Sequence, residues 1–217
     1  MAEREITEFP DMKRIIALAI LLPPVALAQE SNEISYDYFD FSYFRTDWDA
    51  GALEVDGSGW GGRVSVGIRD HVYLGAGYRS WDPNGIDGRS TFKNLGFGVH
   101  GAIGERWSLF GEVGFRSIDL DLGAGNVQDD PGYIGAGARW YVADGYELRI
   151  SADYQNQGRG TPRGSGESSV TFGGDIYMTD SIAISIEVNE NDDNTTSFLI
   201  GMRFYHRKDT SALRQRR

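Results

Sequence analysis

From residue 34 onward the chain repeats one pattern, with apolar side chains at every second position and serine, glycine or charged residues between them. In the run Ser181 to Val188, the residues Ile182, Ile184, Ile186 and Val188 share one face, and Ser181, Ala183, Ser185 and Glu187 take the other. The last run does the same, setting Phe198, Ile200, Met202 and Phe204 against Ser197, Gly201, Arg203 and Tyr205. A period of two is the period of a strand. Strands are expected at about 34–45, 58–68, 72–81, 92–103, 107–118, 132–142, 146–155, 168–178, 181–189 and 196–206. A soluble sandwich would bury the apolar face, but the other face here carries charge and glycine, and no helical period supplies a cover. Both faces are satisfied by an all-β, up-and-down antiparallel transmembrane β-barrel of ten strands, with eight as the alternative, having lipid outside and a polar lumen inside.

The connections sort into two kinds. Short ones fall at Arg69-Asp70-His71, Gly104-Glu105-Arg106, Ala143-Asp144-Gly145 and Thr179-Asp180, and longer ones at 46–57, 82–91, 119–131, 156–167 and 190–195. Alternating short and long links are what periplasmic turns and extracellular loops produce. Outward-parity aromatics cluster at the loop ends (Tyr43, Trp60, Tyr78, Phe115, Tyr154) and at the turn ends (Trp107, Trp140, Tyr146, Phe204), as two interfacial girdles would. In the first strand Ile34, Tyr36 and Tyr38 lie on one parity and Phe39, Phe41 and Tyr43 on the other, so a bulge near Tyr38 is expected.

Ahead of the strands, Lys13 and Arg14 precede the apolar stretch Ile15 to Leu22, and Ala26-Leu27-Ala28 offers a small-residue cleavage site. Residues 1–28 therefore read as upstream residues plus a signal peptide that starts at Met12. The apolar stretch is broken by Pro23-Pro24 and falls short of the roughly 20 residues a membrane helix needs. Residues 29–206 form the expected barrel, and 207–217 a basic C-terminal tail. Without cysteine there is no disulfide and no thiolate chemistry. The net charge of −11 argues against nucleic acid as a partner.

The opening Ile34-Ser35-Tyr36-Asp37-Tyr38-Phe39, the run Gly59-Trp60-Gly61-Gly62, the strands through Gly75-Ala76-Gly77-Tyr78 and Tyr133-Ile134-Gly135-Ala136-Gly137-Ala138-Arg139, and the terminal Gly201-Met202-Arg203-Phe204-Tyr205 resemble the small outer-membrane β-barrel proteins of proteobacteria, the OmpA-like and opacity-like barrels. The resemblance implies an outer-membrane location, contact with outer-membrane lipid and lipopolysaccharide, and handling by the barrel-assembly machinery. Members commonly end on an aromatic residue; here His206 to Arg217 follow, with five basic residues. A monomer is expected.

Gly96-Phe97-Gly98-Val99-His100-Gly101 matches G-x-G-x-x-G, but alternation runs straight through it and no helix follows to hold a pyrophosphate. Some barrels of this membrane are enzymes: the omptin proteases carry paired acids with a histidine at the rim, and others set histidine beside serine on the wall. Of the three histidines, His71 falls in a turn, His206 leaves the last strand, and His100 faces the lumen two residues from Ala102, where a nucleophile would have to be serine. Neither an enzyme nor a cofactor is expected.

The lumen parity carries six acids (Asp40, Glu112, Glu147, Asp153, Asp175, Glu187) and six arginines (Arg63, Arg79, Arg116, Arg139, Arg149, Arg203), together with His100. Counting from the turns places Arg139 near Glu147, Arg149 near Asp175 and His100 near Glu112. Charges there are costly unless paired, so a cross-strand network is expected. It either lines a selective pore or packs the lumen shut; a ten-stranded barrel is narrow, well below the roughly 16 strands of a general aqueous channel, which favours closure. The inward glycines Gly61, Gly75, Gly77, Gly96, Gly98, Gly135 and Gly137 argue the other way. The loops hold the surplus acid: Asp47, Asp49, Glu54 and Asp56; then Asp119, Asp121, Asp129 and Asp130; then Glu190, Asp192 and Asp193, with Arg159 and Arg163 as the basic exception. Solvated charge explains them; weak divalent-cation binding, chiefly at Asp129, Asp130, Asp192 and Asp193, is the functional alternative. The role expected is non-enzymatic, in envelope structure and surface interaction, with a narrow porin-like channel and a surface adhesin as alternatives.

Overall fold

A strand that presents apolar groups on one side and polar groups on the other buries neither by itself; closing the sheet separates the two faces and leaves no unpaired edge. The computed structural model describes residues 34–49, 54–85, 88–121, 126–156 and 166–206. The expected signal peptide, the expected Arg159 and Arg163 loop and the expected basic tail fall outside the described residues, as do the side chains of Asp49 and Glu54. The strands are β1 (Tyr38–Asp49), β2 (Glu54–Arg69), β3 (Val72–Pro83), β4 (Ser90–Ile103), β5 (Trp107–Asp121), β6 (Asn126–Asp129), β7 (Gly132–Ala143), β8 (Tyr146–Gln155), β9 (Glu167–Thr179), β10 (Ile182–Asn191) and β11 (Thr195–Tyr205). All pairings are antiparallel between sequence neighbours, except that β1 pairs β11 and so closes the ring, while β5 pairs both β6 and β7.

The last two segments are one strand of the wall. Phe115 faces Gly132 and Ile118 faces Asp129 in a single register, interrupted at Pro131. Proline has no N–H to give the ladder, though its carbonyl still accepts from the Arg116 amide at 2.8 Å. The wall is therefore a closed ten-stranded antiparallel barrel.

The described residues correct the expected layout in three ways. The strands are longer at the loop side than a bilayer requires: β2 has 16 residues and β5 has 15, so Asp47, Asp56, Asp119, Asp121 and Asp129 stand on strand extensions and not in loops. The ladder also starts at Tyr38, not at residue 34; Ile34 and Tyr36 keep the inward parity of Tyr38 and turn into the lumen, where both are buried. Finally, β1 carries no bulge, since its register with β2 and with β11 is unbroken from Tyr38 to Trp48. The register shifts lie at Gly67/Arg69, Tyr141/Ala143 and Ile182/Ala183, each beside a short turn, where an extra residue bends the strand into its connection. Two of the four short turns, β4 to β5 and β7 to β8, need a left-handed backbone, supplied by Gly104 (φ 67°) and Gly145 (φ 82°).

Burial is inverted relative to a soluble protein. Phe115 is 73% exposed, Met178 63% and Leu95 60%, whereas Arg203 is 0% and Asp175 2% exposed. An apolar belt of this extent around a charged interior is stable only against hydrocarbon. The aromatic girdles are in place: Tyr43 meets Trp60 edge-on at 5.0 Å at the loop side, and Trp107 stacks on Trp140 at 4.9 Å at the turn side.

Candidate functional site

The lumen is layered. At the turn end, Ile34, Tyr36 and Tyr73 form a buried cluster with Phe110 and Tyr141 packed on it. Tyr36 stacks on His100 at 3.9 Å and its hydroxyl lies 3.0 Å from the Ser108 Oγ. The N-terminal segment is tied down from the wall: Arg139 donates to the Ser35 carbonyl at 2.8 Å, and its guanidinium sits 4.8 Å from the Tyr36 ring centroid. Such a cation over an aromatic face contributes roughly 0.5–2 kcal/mol.

Above this plug lies the ionic layer. Arg139 donates to Glu147 through Nε (2.5 Å) and Nη2 (3.1 Å), and the Tyr177 hydroxyl donates to the same carboxylate at 2.8 Å. Glu187 Oε1 accepts from Arg149 (2.5 Å), Arg63 (2.6 Å) and Arg203 (3.3 Å). Arg203 also reaches Asp175 (2.7 Å) and Asp40 (3.0 Å), and Arg63 closes on Asp40 at 3.0 Å. The Tyr205 hydroxyl donates to Asp175 at 2.7 Å. Side chains from β1, β2, β8, β9, β10 and β11 thus meet on the barrel axis. A higher tier joins Arg116 to Asp153 (2.6 Å) and Gln155 (2.9 Å), while Glu112 accepts from the Tyr133 hydroxyl.

Of the three expected pairings one forms and two do not. Arg139 pairs with Glu147 as the spacing suggests. Arg149 does not bond Asp175: in the register it faces Gly173, and across that side-chain-free position it reaches Glu187 on β10. His100 does not join Glu112; it faces Phe110 across the ladder and is stacked on Tyr36. Arg79 joins no carboxylate among the described residues; its guanidinium lies 5.9 Å from the Phe44 ring centroid. Sequence reasoning passed over the tyrosines: Tyr36, Tyr133, Tyr177 and Tyr205 all bond inside the lumen, and their inward parity was the available signal.

Several of the inward glycines make room for these side chains. A Cβ on Gly96 would strike the Tyr133 hydroxyl, and one on Gly98 the Tyr73 ring. The G-x-G-x-x-G match is therefore a packing device on one continuous strand, β4.

Towards the loop side the layers loosen into a cavity of about 480 Å³ that runs from Tyr73 and Arg139 up to Trp48, Asp193 and Thr195. One wall is apolar, with Phe44, Val55, Trp81 and Leu199 buried together and Trp48 and Phe92 against them. The facing wall, from β8 to β10, offers Asp153, Gln155, Ser169, Thr171, Asn189 and Asn191. Three acids at the loop-side rim are engaged locally. Asp192 accepts from the Ser168 amide and Asp193 from the Thr195 amide, each at 3.0 Å, and Asp129 accepts from the Asp130 amide at 3.0 Å. Among the described residues no three carboxylates or histidines converge as a cation would require.

No family model and no curated protein matches the chain. Among solved structures it is similar to the KdgM porin, with TM-score 0.42 and 8% identity over 78% of this chain and 99% of that one. It is likewise similar to the N-terminal β-barrel domain of Pseudomonas aeruginosa OprF (TM-score 0.43, 16% identity, 81% and 100% covered). A third is the translocator domain of the autotransporter NalP from Neisseria meningitidis (TM-score 0.44, 12% identity, 88% and 93% covered). These likenesses are of barrel architecture; the closed wall itself is established by its own hydrogen-bond ladder.

Proposed function

We propose that this chain is a non-enzymatic barrel of the bacterial outer membrane whose lumen is shut over its turn-side half and which serves envelope structure and surface interaction. The observation that carries the reading is the Glu187 hub: one carboxylate oxygen accepts from three arginines on three strands, directly above the Tyr36 plug. Long side chains that reach across the lumen in this way support closure. The histidine chemistry supports the non-enzymatic part, since His100 is held by ring stacking with Ala102 as its inward neighbour and no serine or acid bonded to it among the described residues. Lipid and lipopolysaccharide are the partners the exposed belt and girdles fit, the barrel-assembly machinery would act during biogenesis, and divalent cations would bridge the acidic rim only weakly.

A narrow porin-like channel is the second reading, favoured by the cavity that penetrates from the loop side down to Tyr73 and Arg139. Planar-bilayer conductance separates the two. The closed barrel should conduct weakly and intermittently, and Tyr36→Ala should raise the conductance by removing the plug. Large, steady wild-type conductance with passage of small solutes would overturn closure and establish the channel. An adhesin role would show instead as loop-dependent binding to a partner cell with conductance unchanged.

A further inference from the structure

Five of the six inward arginines have carboxylate partners; the sixth does not. Arg63, Arg116, Arg139, Arg149 and Arg203 each form at least one ion pair. Among the described residues Arg79 forms no ion pair and donates no hydrogen bond. The two carboxylates whose field favours its charge, Glu187 and Asp40, are already held by Arg63 and Arg203, and Arg63 and Arg116 add positive charge of their own. A guanidinium cannot shed its proton to relieve this. It can accept a counter-ion.

We infer that the loop-side cavity binds a small organic monocarboxylate with an apolar body, its carboxylate held by Arg79. The planar fork of a guanidinium matches a carboxylate in two parallel hydrogen bonds. Around it the wall is kept low: Arg79 faces Gly61 in the register, and Gly61 faces Ser42, which faces Gly201. A Cβ on Gly61 would lie 2.8 Å from the Arg79 Cγ, so the glycine lets the arginine lie across the sheet and present its fork to the cavity. One step towards the loops the register sets Trp81, Gly59, Phe44 and Leu199 side by side, and Phe92 is packed against that cluster. A body seated above the carboxylate therefore meets aromatic and aliphatic carbon. Glu112 and Glu167 line the same cavity with no ion-pair partner among the described residues and repel a polyanion, which selects a single negative charge. The cavity's volume of about 480 Å³ lies within the roughly 300–1,000 Å³ of small-ligand pockets. The inference needs the barrel and not its closure, so it stands whether or not the lumen conducts.

The test is calorimetric titration of the full chain, folded in detergent micelles, with benzoate and with its neutral isostere benzamide. Heat-modifiable gel mobility confirms the fold of every variant. Benzoate should bind at least tenfold more tightly than benzamide, and Arg79→Gln should bring the two to parity. Arg79→Lys keeps the charge but not the fork; it should weaken benzoate severalfold and leave benzamide unchanged, which keeps the inference testable if Arg79→Gln does not fold. Arg45→Gln, on the outer face, should alter neither. Equal affinity for the two probes, unchanged benzoate binding in the Arg79 variants, or no benzoate binding by the folded wild type at millimolar concentration would each overturn the inference.

Discussion

Replacing Glu187 by glutamine removes the charge that neutralises the centre of the lumen while keeping nearly the same volume. The three arginines bonded to it fare differently. Arg203 retains Asp175 and Asp40, and Arg63 retains Asp40, but Arg149 loses the one carboxylate it bonds. Breaking a buried pair by removing one partner costs about 3–5 kcal/mol, because the other charge is stranded. Glu187→Gln should fall in that range. Arg149→Met should cost less, since Glu187 keeps Arg63 and Arg203. In the double variant the stranded guanidinium is gone, so its cost should be smaller than the sum by about 0.5–3 kcal/mol, the coupling expected of direct neighbours. By the same logic Arg149→Met combined with Asp175→Asn should be closer to additive. The assay is urea unfolding in lipid vesicles, followed by the gel mobility of folded and unfolded forms. Additive losses for Glu187 with Arg149, or a Glu187→Gln cost below about 1 kcal/mol, would refute the hub, since costs of that size belong to solvated surface pairs.

Ile150 is 51% exposed on the outer face and its neighbour Ser151 lines the lumen cavity. Ile150→Arg should cost about 2–4 kcal/mol of assembly stability and Ser151→Arg much less, measured as folded fraction in vesicles; equal losses would remove the assignment of faces. Gly98→Val places carbon against the Tyr73 ring and should destabilise by about 1–3 kcal/mol, with Tyr73→Ala in the same chain recovering part of the loss in urea unfolding. For the topology, Asp130→Cys should react with a membrane-impermeant thiol reagent on intact cells, and Asp144→Cys only once the outer membrane has been opened. The reverse pattern would invert the barrel.

The alternation fixed which side chains face lipid and which face the lumen, because parity is a local property of a strand and needs no knowledge of its neighbours. Ile184 and Ser185 reveal their faces to any reader of the sequence, and so do the girdle aromatics, the four short turns and the population of the ion network. What parity cannot give is the partner of a long side chain. The ladder sets Glu147 beside Asp175 and Arg139 beside Arg149, like charges both, and each is resolved only by reaching along or across the lumen. Arg149 passes over Gly173 to Glu187, and Arg63 reaches that carboxylate from β2, three strands away around the wall. Those contacts exist because closure curls the sheet until strands remote in sequence share one axis. For the same reason the fate of Ile34 and Tyr36 lay beyond local reading: their parity matches a strand, but a closed barrel offers its open end as an apolar site, and burial there against Tyr73 and Phe110 replaces pairing. Arg79 belongs to this second kind of knowledge. The sequence counted it among six balanced arginines, and only the tertiary structure, by committing the nearby carboxylates to other guanidiniums, left it facing the cavity without one.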